Sequence, residues 1–122
     1  MQEIQTIRVY DDLSGFQGAR FLVDRLWPRG RKKTDLKLDG WAREAAPSTE
    51  LRKKYHGGDM DFADFQKAYI EELDQARAAG ELEEFLQAIR TRLADGPVAF
   101  LYGARSEQNH AVVLKAWVEQ HL

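Results

Sequence analysis

The hydrophobic positions of the chain change their spacing several times, and each change predicts a new element of secondary structure. Alternating, β-rich residues at 6–10 predict a first strand. The apolar run within 20–25 predicts a second strand, which either ends there or reaches Trp27. Pro28 stops this strand, because proline cannot donate a hydrogen bond to a strand ladder. The continuously apolar segment 98–102 is typical of a central parallel strand that is covered on both faces.

Helical spacing of apolar residues occupies the middle of the chain. A short helix is predicted to start at Ser48 or Thr49, because either hydroxyl can cap it. A longer helix is predicted from Asp61 to Gly80, and another ends before Pro97. The inward stripes of the two longer helices are Phe62, Phe65, Tyr69 and Leu73, and then Leu82, Phe85, Leu86, Ile89 and Leu93.

A last helix follows the apolar strand, and Ser106 is expected to cap it. The side chains expected to face the core from this helix are Val112, Val113, Ala116 and Trp117. Segment 30–40 predicts a loop, and residues 41–44 predict either a short strand or a helical turn. Strands separated by helices indicate an α/β fold, with a single compact domain over 1–122 and a small, mainly parallel sheet flanked by helices.

The composition excludes several classes of function. The chain has 122 residues, of which 43% are hydrophobic and none is cysteine, so a disulfide, a thiolate nucleophile and a cysteine-bound metal are all excluded. No apolar run has transmembrane length and no signal peptide is recognisable, so we expect a cytoplasmic protein with no membrane partner. The three histidines form no i, i+4 pair, so we expect no metal, and no sequence fingerprint indicates a cofactor.

Charge is distributed unevenly along the chain. Residues 1–54 hold 12 Lys and Arg against 8 Asp and Glu, whereas residues 55–122 hold 6 against 12. A basic first half attracts phosphates or nucleic acid. For the lysines outside the motif described next, a solvated surface is the default interpretation.

The most informative segment runs from Asp24 to Gly30, directly after the second predicted strand. It places an acid and two arginines, Arg25 and Arg29, beside an apolar core. Ionised groups in such a place are costly unless they pair with each other or meet a ligand. A structural ion pair of Asp24 with Arg25 or Arg20 and a role in ligand binding are equally compatible with the sequence.

A second motif begins where the apolar strand ends, at Tyr102, and continues through a glycine into the last helix. Ligands of open α/β sheets bind beyond the carboxyl ends of the strands, and free N–H groups at a helix start favour an anion. The predicted ligand-binding residues are Asp24, Arg25, Arg29, Tyr102, Arg105, Ser106, Asn109 and His110, with Trp27, Ser48 and Arg52 as weaker candidates. Only Asp24 and His110 are candidates for acid–base catalysis.

Three segments together resemble the YeaO-like branch of the domain-of-unknown-function family 488: 20–30 (RFLVDRLWPRG), 46–52 (APSTELR) and 101–111 (LYGARSEQNHA). The resemblance covers nearly the whole chain. It implies a small bacterial cytoplasmic α/β protein with no established activity. Another branch of the wider family has a cysteine near the end of the last strand and a Cys-His-Arg further on. The cysteine-free stretches here exclude the thiol chemistry that such residues suggest.

Three hypotheses of function follow. The first is a site for a small anionic ligand, with or without a reaction, between 24–29 and 102–110. The second is a nucleic-acid interface that uses Arg25, Arg29, Arg31, Lys32, Lys33 and Lys37. The third is a protein-interaction surface or a dimer interface around Trp27 or Trp41, since the sequence does not determine the oligomeric state.

Overall fold

The sheet has four parallel strands. The computed structural model describes residues 3–122 and contains β1 (Ile4–Arg8), β2 (Ala19–Leu22), β3 (Gly40–Trp41) and β4 (Val98–Tyr102). The strand order is β1-β4-β2-β3, and every neighbouring pair is parallel. All four carboxyl ends therefore meet at one edge of the sheet, which confirms the predicted α/β fold.

Within the described part of the chain, five α-helices and one 3₁₀ turn surround this sheet. They are α1 (Lys33–Leu36), the 3₁₀ turn (Arg43–Ala45), α2 (Thr49–His56), α3 (Phe62–Ala78), α4 (Glu83–Asp95) and α5 (His110–His121). Helix α3 packs against α2 and α5, while α5 and α4 contact the strands. Within residues 3–122, no helix combines the length and the apolar character that crossing a bilayer requires.

The central strand β4 divides the core in two. Val98 and Phe100 belong to the larger buried cluster with the residues of α3, α4 and α5, and Ala99 and Leu101 belong to a smaller one. Successive strand residues point to opposite faces, so the two clusters lie on opposite sides of the sheet. The predicted central strand, apolar on both faces, is thereby confirmed.

The strands and the loop differ from the sequence prediction at several boundaries. β1 lies at Ile4–Arg8 rather than 6–10, and β2 ends at Leu22 rather than 25. The predicted loop 30–40 contains the helical turn α1, whose Leu36 is buried. The short strand and the helical turn predicted as alternatives for residues 41–44 both occur: β3 ends at Trp41, and the 3₁₀ turn starts two residues later.

The caps of α2 and α3 are those expected, whereas the start of α5 is not. Ser48 Oγ accepts the N–H of Leu51, and Asp61 accepts that of Asp64. The cap of α5 is Asn109, whose side chain accepts the N–H of Val112 at 3.2 Å. The prediction that Ser106 caps this helix was wrong.

The later start of α5 also changes which of its residues face the core. Val112 and Ala116 are exposed, in contrast to the prediction. The side chains buried on this helix are Ala111, Val113, Leu114, Trp117 and Val118. Of the four residues expected to face inward, only Val113 and Trp117 do so.

Candidate functional site

A cleft of about 260 Å³ opens at the carboxyl edge of the sheet. Its walls come from the segment after β2, the segment after β4, the start of α5 and the exposed side of α2. The lining residues are Asp24, Arg25, Leu26, Pro47, Arg52, His56, Gly103, Ala104 and His110. The cleft thus lies where ligands of parallel α/β sheets bind.

Asp24 connects the strand ends at the floor of this cleft. Its Oδ2 accepts the N–H of Gly103 at 2.9 Å, and its Oδ1 lies 2.9 Å from His110 Nε2. The same Nε2 lies 3.1 Å from the carbonyl oxygen of Val23. A carbonyl oxygen can only accept, so Nε2 donates to Val23, whereas Asp24 Oδ1 has no hydrogen-bond partner within residues 3–122. The indole of Trp41 donates to the Asp24 carbonyl at 2.7 Å.

The side chain in contact with the Asp24 carboxylate is therefore His110 rather than an arginine. The alternative in which Asp24 pairs with Arg25 or Arg20 was wrong, because Arg20 donates to the carbonyls of Leu36 and Leu13 instead. These carbonyl partners hold the Arg20 guanidinium beside Leu13 and Leu36 of the smaller buried cluster.

Arg25 is held by backbone carbonyl groups. Its Nε donates to the Pro47 carbonyl at 3.0 Å and its Nη2 to that of Ala46 at 3.3 Å. Neutral carbonyls leave the positive charge of the guanidinium uncompensated. Arg25 therefore contributes a fixed positive charge to the wall of the cleft.

Helix α3 anchors the segment that receives Arg25. The Tyr69 hydroxyl donates to the Ala45 carbonyl, and Glu72 accepts both the N–H and the hydroxyl of Ser48, at 2.8 and 2.6 Å. Tyr69 and Glu72 are three residues apart and share one face of the helix. Complete burial raises the pKa of Tyr69 well above its usual value, so the hydroxyl keeps the proton that it donates. Together with the bonds from Arg25 to the carbonyls of Ala46 and Pro47, these contacts hold four consecutive residues, 45–48.

Helix α2, which starts from this anchored segment, presents Arg52 and His56 to the cleft. They are four residues apart and therefore neighbours on one helix face. Arg52 Nε is buried and has no hydrogen-bond partner within residues 3–122. The pKa of His56 is lowered by loss of solvation and then by the positive charges of Arg52 and His110, whereas Asp24 acts in the opposite direction. His56 is mainly neutral near pH 7 for this reason.

The cleft brings together only part of the predicted site. Asp24, Arg25 and His110 line it, as does Arg52, a weaker candidate. The side chain of Asn109 lies just below, buried, and its amide donates to two carbonyls of the turn before α5.

The remaining predicted residues lie outside the lining of the cleft. Arg29, Arg105 and Ser106 are exposed, and Tyr102 is half-buried against the larger core cluster. Ser106 accepts the N–H of Gln108 within the turn. Their roles in ligand binding stay predictions.

Two further candidates serve the fold. Ser48 is the cap of α2 and is bonded to Glu72, as described above. Trp27 packs edge-to-face on Trp41 with ring centroids 5.3 Å apart, and its indole donates to the Arg31 carbonyl at 2.6 Å. Most of the apolar surface of both tryptophans is thus used inside the protein.

Sequence reasoning missed His56 and the apolar part of the wall. His56 follows Arg52 by four residues in a predicted helix, so its place on the same face was readable from the spacing. Leu26, Pro47 and Ala104 carry no chemical signal, and only the tertiary structure brings them together. No group of three or more His, Asp or Glu side chains within residues 3–122 is placed to hold a metal ion.

Comparison with known proteins places the chain in a family. The sequence model described as the inactive DUF488-N3 subclade matches residues 3–122. The chain belongs to this family. It is 48% identical over 120 residues to the uncharacterised protein YeaO of Escherichia coli, covering 94% of this chain and 96% of that protein. No solved structure matches the chain significantly.

The chain is also similar to proteins of mycobacteria. The uncharacterised proteins Mb3100c of Mycobacterium bovis and Rv3073c of Mycobacterium tuberculosis are each 41% identical over 81 residues, which is 66% of this chain and 69% of theirs. The matches to DUF488-N3 and to YeaO confirm the resemblance inferred from the three sequence motifs.

Proposed function

We propose that this protein binds a small anion, bearing a phosphate or carboxylate group, in the cleft at the carboxyl edge of the sheet. Arg25, Arg52 and His56 supply the positive and hydrogen-bonding groups. Within residues 3–122 neither arginine forms an ion pair with a carboxylate. The acid in this lining, Asp24, accepts the Gly103 N–H through Oδ2, and its Oδ1 lies 2.9 Å from His110 Nε2.

The buried Nε of Arg52 is the observation that carries this proposal. A buried donor without an acceptor costs about 1–3 kcal/mol. An anion in the cleft accepts from this donor and thereby removes the cost. The neighbouring His56 gains a favourable partner at the same time, because an anion offsets the positive charge that lowers its pKa.

Binding without a reaction agrees best with the chemistry of the lining. The family is described as inactive, and the chain has no cysteine. None of the nine residues of the cleft wall carries a hydroxyl, thiol or amine that could act as a nucleophile. The acid–base groups of the lining are Asp24, His56 and His110. Asp24 Oδ2 accepts the Gly103 N–H, and His110 Nε2 is bonded to the Val23 carbonyl.

The test is thermal unfolding of the full chain in increasing sulfate and inorganic phosphate. A site that binds only the native state stabilises it by about 1.4 kcal/mol when the anion is at ten times its Kd. We expect this stabilisation in the unmodified protein and its loss in Arg52→Gln. Arg105→Gln is the matched control, since Arg105 is equally charged but exposed outside the cleft. Absence of any shift with either anion, or equal shifts in both variants, would refute the proposal.

A second candidate function, nucleic-acid binding, has support from a different surface. The guanidinium groups of Arg8 and Arg31 lie 4.7 and 5.2 Å from the ring centre of Tyr10, beside a recess of about 490 Å³. The nearby Lys32 and Lys33 are exposed. Binding of a single-stranded oligonucleotide that weakens steeply between about 50 and 200 mM salt would support this function. No binding at the lower salt concentration would exclude it.

A further inference from the structure

The cleft wall combines positive charge with exposed apolar surface. Leu26 is 60% exposed, more than any other large hydrophobic residue within 3–122. It directly follows Arg25 and lines the same cleft, together with Pro47 and Ala104. A single exposed leucine is ordinary on a protein surface. A leucine that forms one wall of a concave site with two other apolar side chains is a contact surface for a ligand.

The size of the cleft is also greater than a free inorganic anion needs. Its volume of about 260 Å³ is many times the roughly 10–15 Å³ that one water-sized group requires. Arg52 and His56 approach from α2, whereas Leu26 and Ala104 come from the segments after β2 and β4. The charged and the apolar groups thus come from different elements of the fold, so one molecule can meet both.

We propose that the natural ligand is an amphiphilic organic anion, a carboxylate or phosphate monoester whose short hydrocarbon or aromatic group packs on Leu26, Pro47 and Ala104. This inference rests on the proposed anion site and names the class of molecule that it takes. The charged group binds at Arg25, Arg52 and His56. The apolar group displaces water from Leu26, which supplies affinity that an inorganic anion lacks.

The test is a titration of the full chain with inorganic phosphate, methyl phosphate, propyl phosphate and pentyl phosphate, followed by isothermal calorimetry. Each methylene that becomes buried contributes a factor of roughly two to four in affinity. We therefore expect Kd to fall along the series until the hydrocarbon outgrows the cleft. A parallel series of straight-chain carboxylates is expected to show the same trend.

Leu26→Ser isolates the apolar contribution. Leu26 is exposed in a loop, so the variant is expected to fold, and circular dichroism checks this. We expect inorganic phosphate to bind Leu26→Ser as it binds the unmodified protein, while the gain per methylene is strongly reduced. Val112→Ser is the control, because Val112 is 42% exposed on α5 and does not line the cleft.

The possible failures are distinguishable. Equal affinity for inorganic phosphate and the alkyl phosphates would overturn this inference and leave the anion site standing. A gain per methylene that persists in Leu26→Ser would overturn it as well, since the hydrocarbon would then pack elsewhere. Failure of every anion in the series to bind would overturn the anion site itself.

Discussion

Substitution of Asp24 by asparagine tests the arrangement that holds the floor of the cleft. Oδ2 of the carboxylate accepts the Gly103 N–H at 2.9 Å, and Oδ1 lies 2.9 Å from His110 Nε2 but has no hydrogen-bond partner within residues 3–122. A carboxamide of the same shape has one acceptor and one donor group. In either orientation of the asparagine side chain, an NH₂ group faces one of the two N–H donors.

Asp24→Asn should therefore lose either the charge-assisted hydrogen bond from Gly103 or the electrostatic contact with His110, at a cost of about 1.5–3 kcal/mol. The Trp41 indole is unaffected, because it donates to the backbone carbonyl of Asp24. We expect the free energy of unfolding to fall by about 2 kcal/mol, which for a chain of this size lowers Tm by roughly 6–10 °C. Urea unfolding followed by circular dichroism measures the change directly.

The matched control is Asp12→Asn. Asp12 is exposed, and its carboxylate accepts the N–H of Ser14 at 3.0 Å, which an asparagine oxygen can equally accept. This variant is expected to unfold at the same urea concentration as the unmodified protein. If Asp24→Asn also stays within about 0.5 kcal/mol of the unmodified protein, the carboxylate does not hold Gly103 and His110 together and the reasoning fails.

Two further predictions concern the anchor on α3 and the pH dependence of binding. Tyr69→Phe removes the hydroxyl that bonds the Ala45 carbonyl, and the unpaired buried carbonyl should lower the free energy of unfolding by about 1–3 kcal/mol; a midpoint equal to that of the unmodified protein in urea would argue against this anchor. Without a ligand, His56 has a pKa below its usual 6.5. Because a bound anion raises that pKa, binding takes up a proton, and affinity for the anion should increase as pH falls through the titration of His56. Sulfate titrations at about pH 7.5 and pH 5.5 measure the increase, and it should shrink in His56→Gln; an unchanged pH dependence in that variant would assign the effect to another group.

The same lowered pKa has a consequence for the protein without any anion. In the unfolded chain His56 takes up its proton at its ordinary pKa, while in the native state it does so only at lower pH. The unfolded state therefore binds more protons between the lowered native pKa and the usual 6.5, and stability is lost as pH falls through that window. If an anion binds as proposed and pairs with His56, it offsets this loss, and binding and acid stability are then linked through one side chain.

The location of the cleft could be predicted from the sequence because it depends on strand order and strand ends. A buried apolar strand followed by Asp24 and Arg25, and another followed by a glycine and His110, had to converge if both strands were parallel. Arg29 and Arg105, in contrast, do not line the cleft, and the reason is simple. A sequence gives the charge of a residue near a strand end but not the direction of its side chain, and in both cases that side chain is exposed.

The contribution of α2 to the cleft could not be read in the same way, because it depends on contacts between residues far apart in the chain. Arg25 donates to carbonyls 21 and 22 residues later, and Tyr69 bonds a carbonyl 24 residues earlier. Such bonds to backbone groups leave no pattern in the side-chain sequence, yet they fix residues 45–48 and hence the start of α2.

Arg25 consequently has two functions, since it fixes the wall that carries Arg52 and also lends its own charge to the cleft. A variant that removes Arg25 would change both at once, so loss of anion binding in it could not separate charge from structure. Arg52, whose buried Nε has no partner among residues 3–122, is the residue at which charge can be removed while the anchored segment keeps its hydrogen bonds.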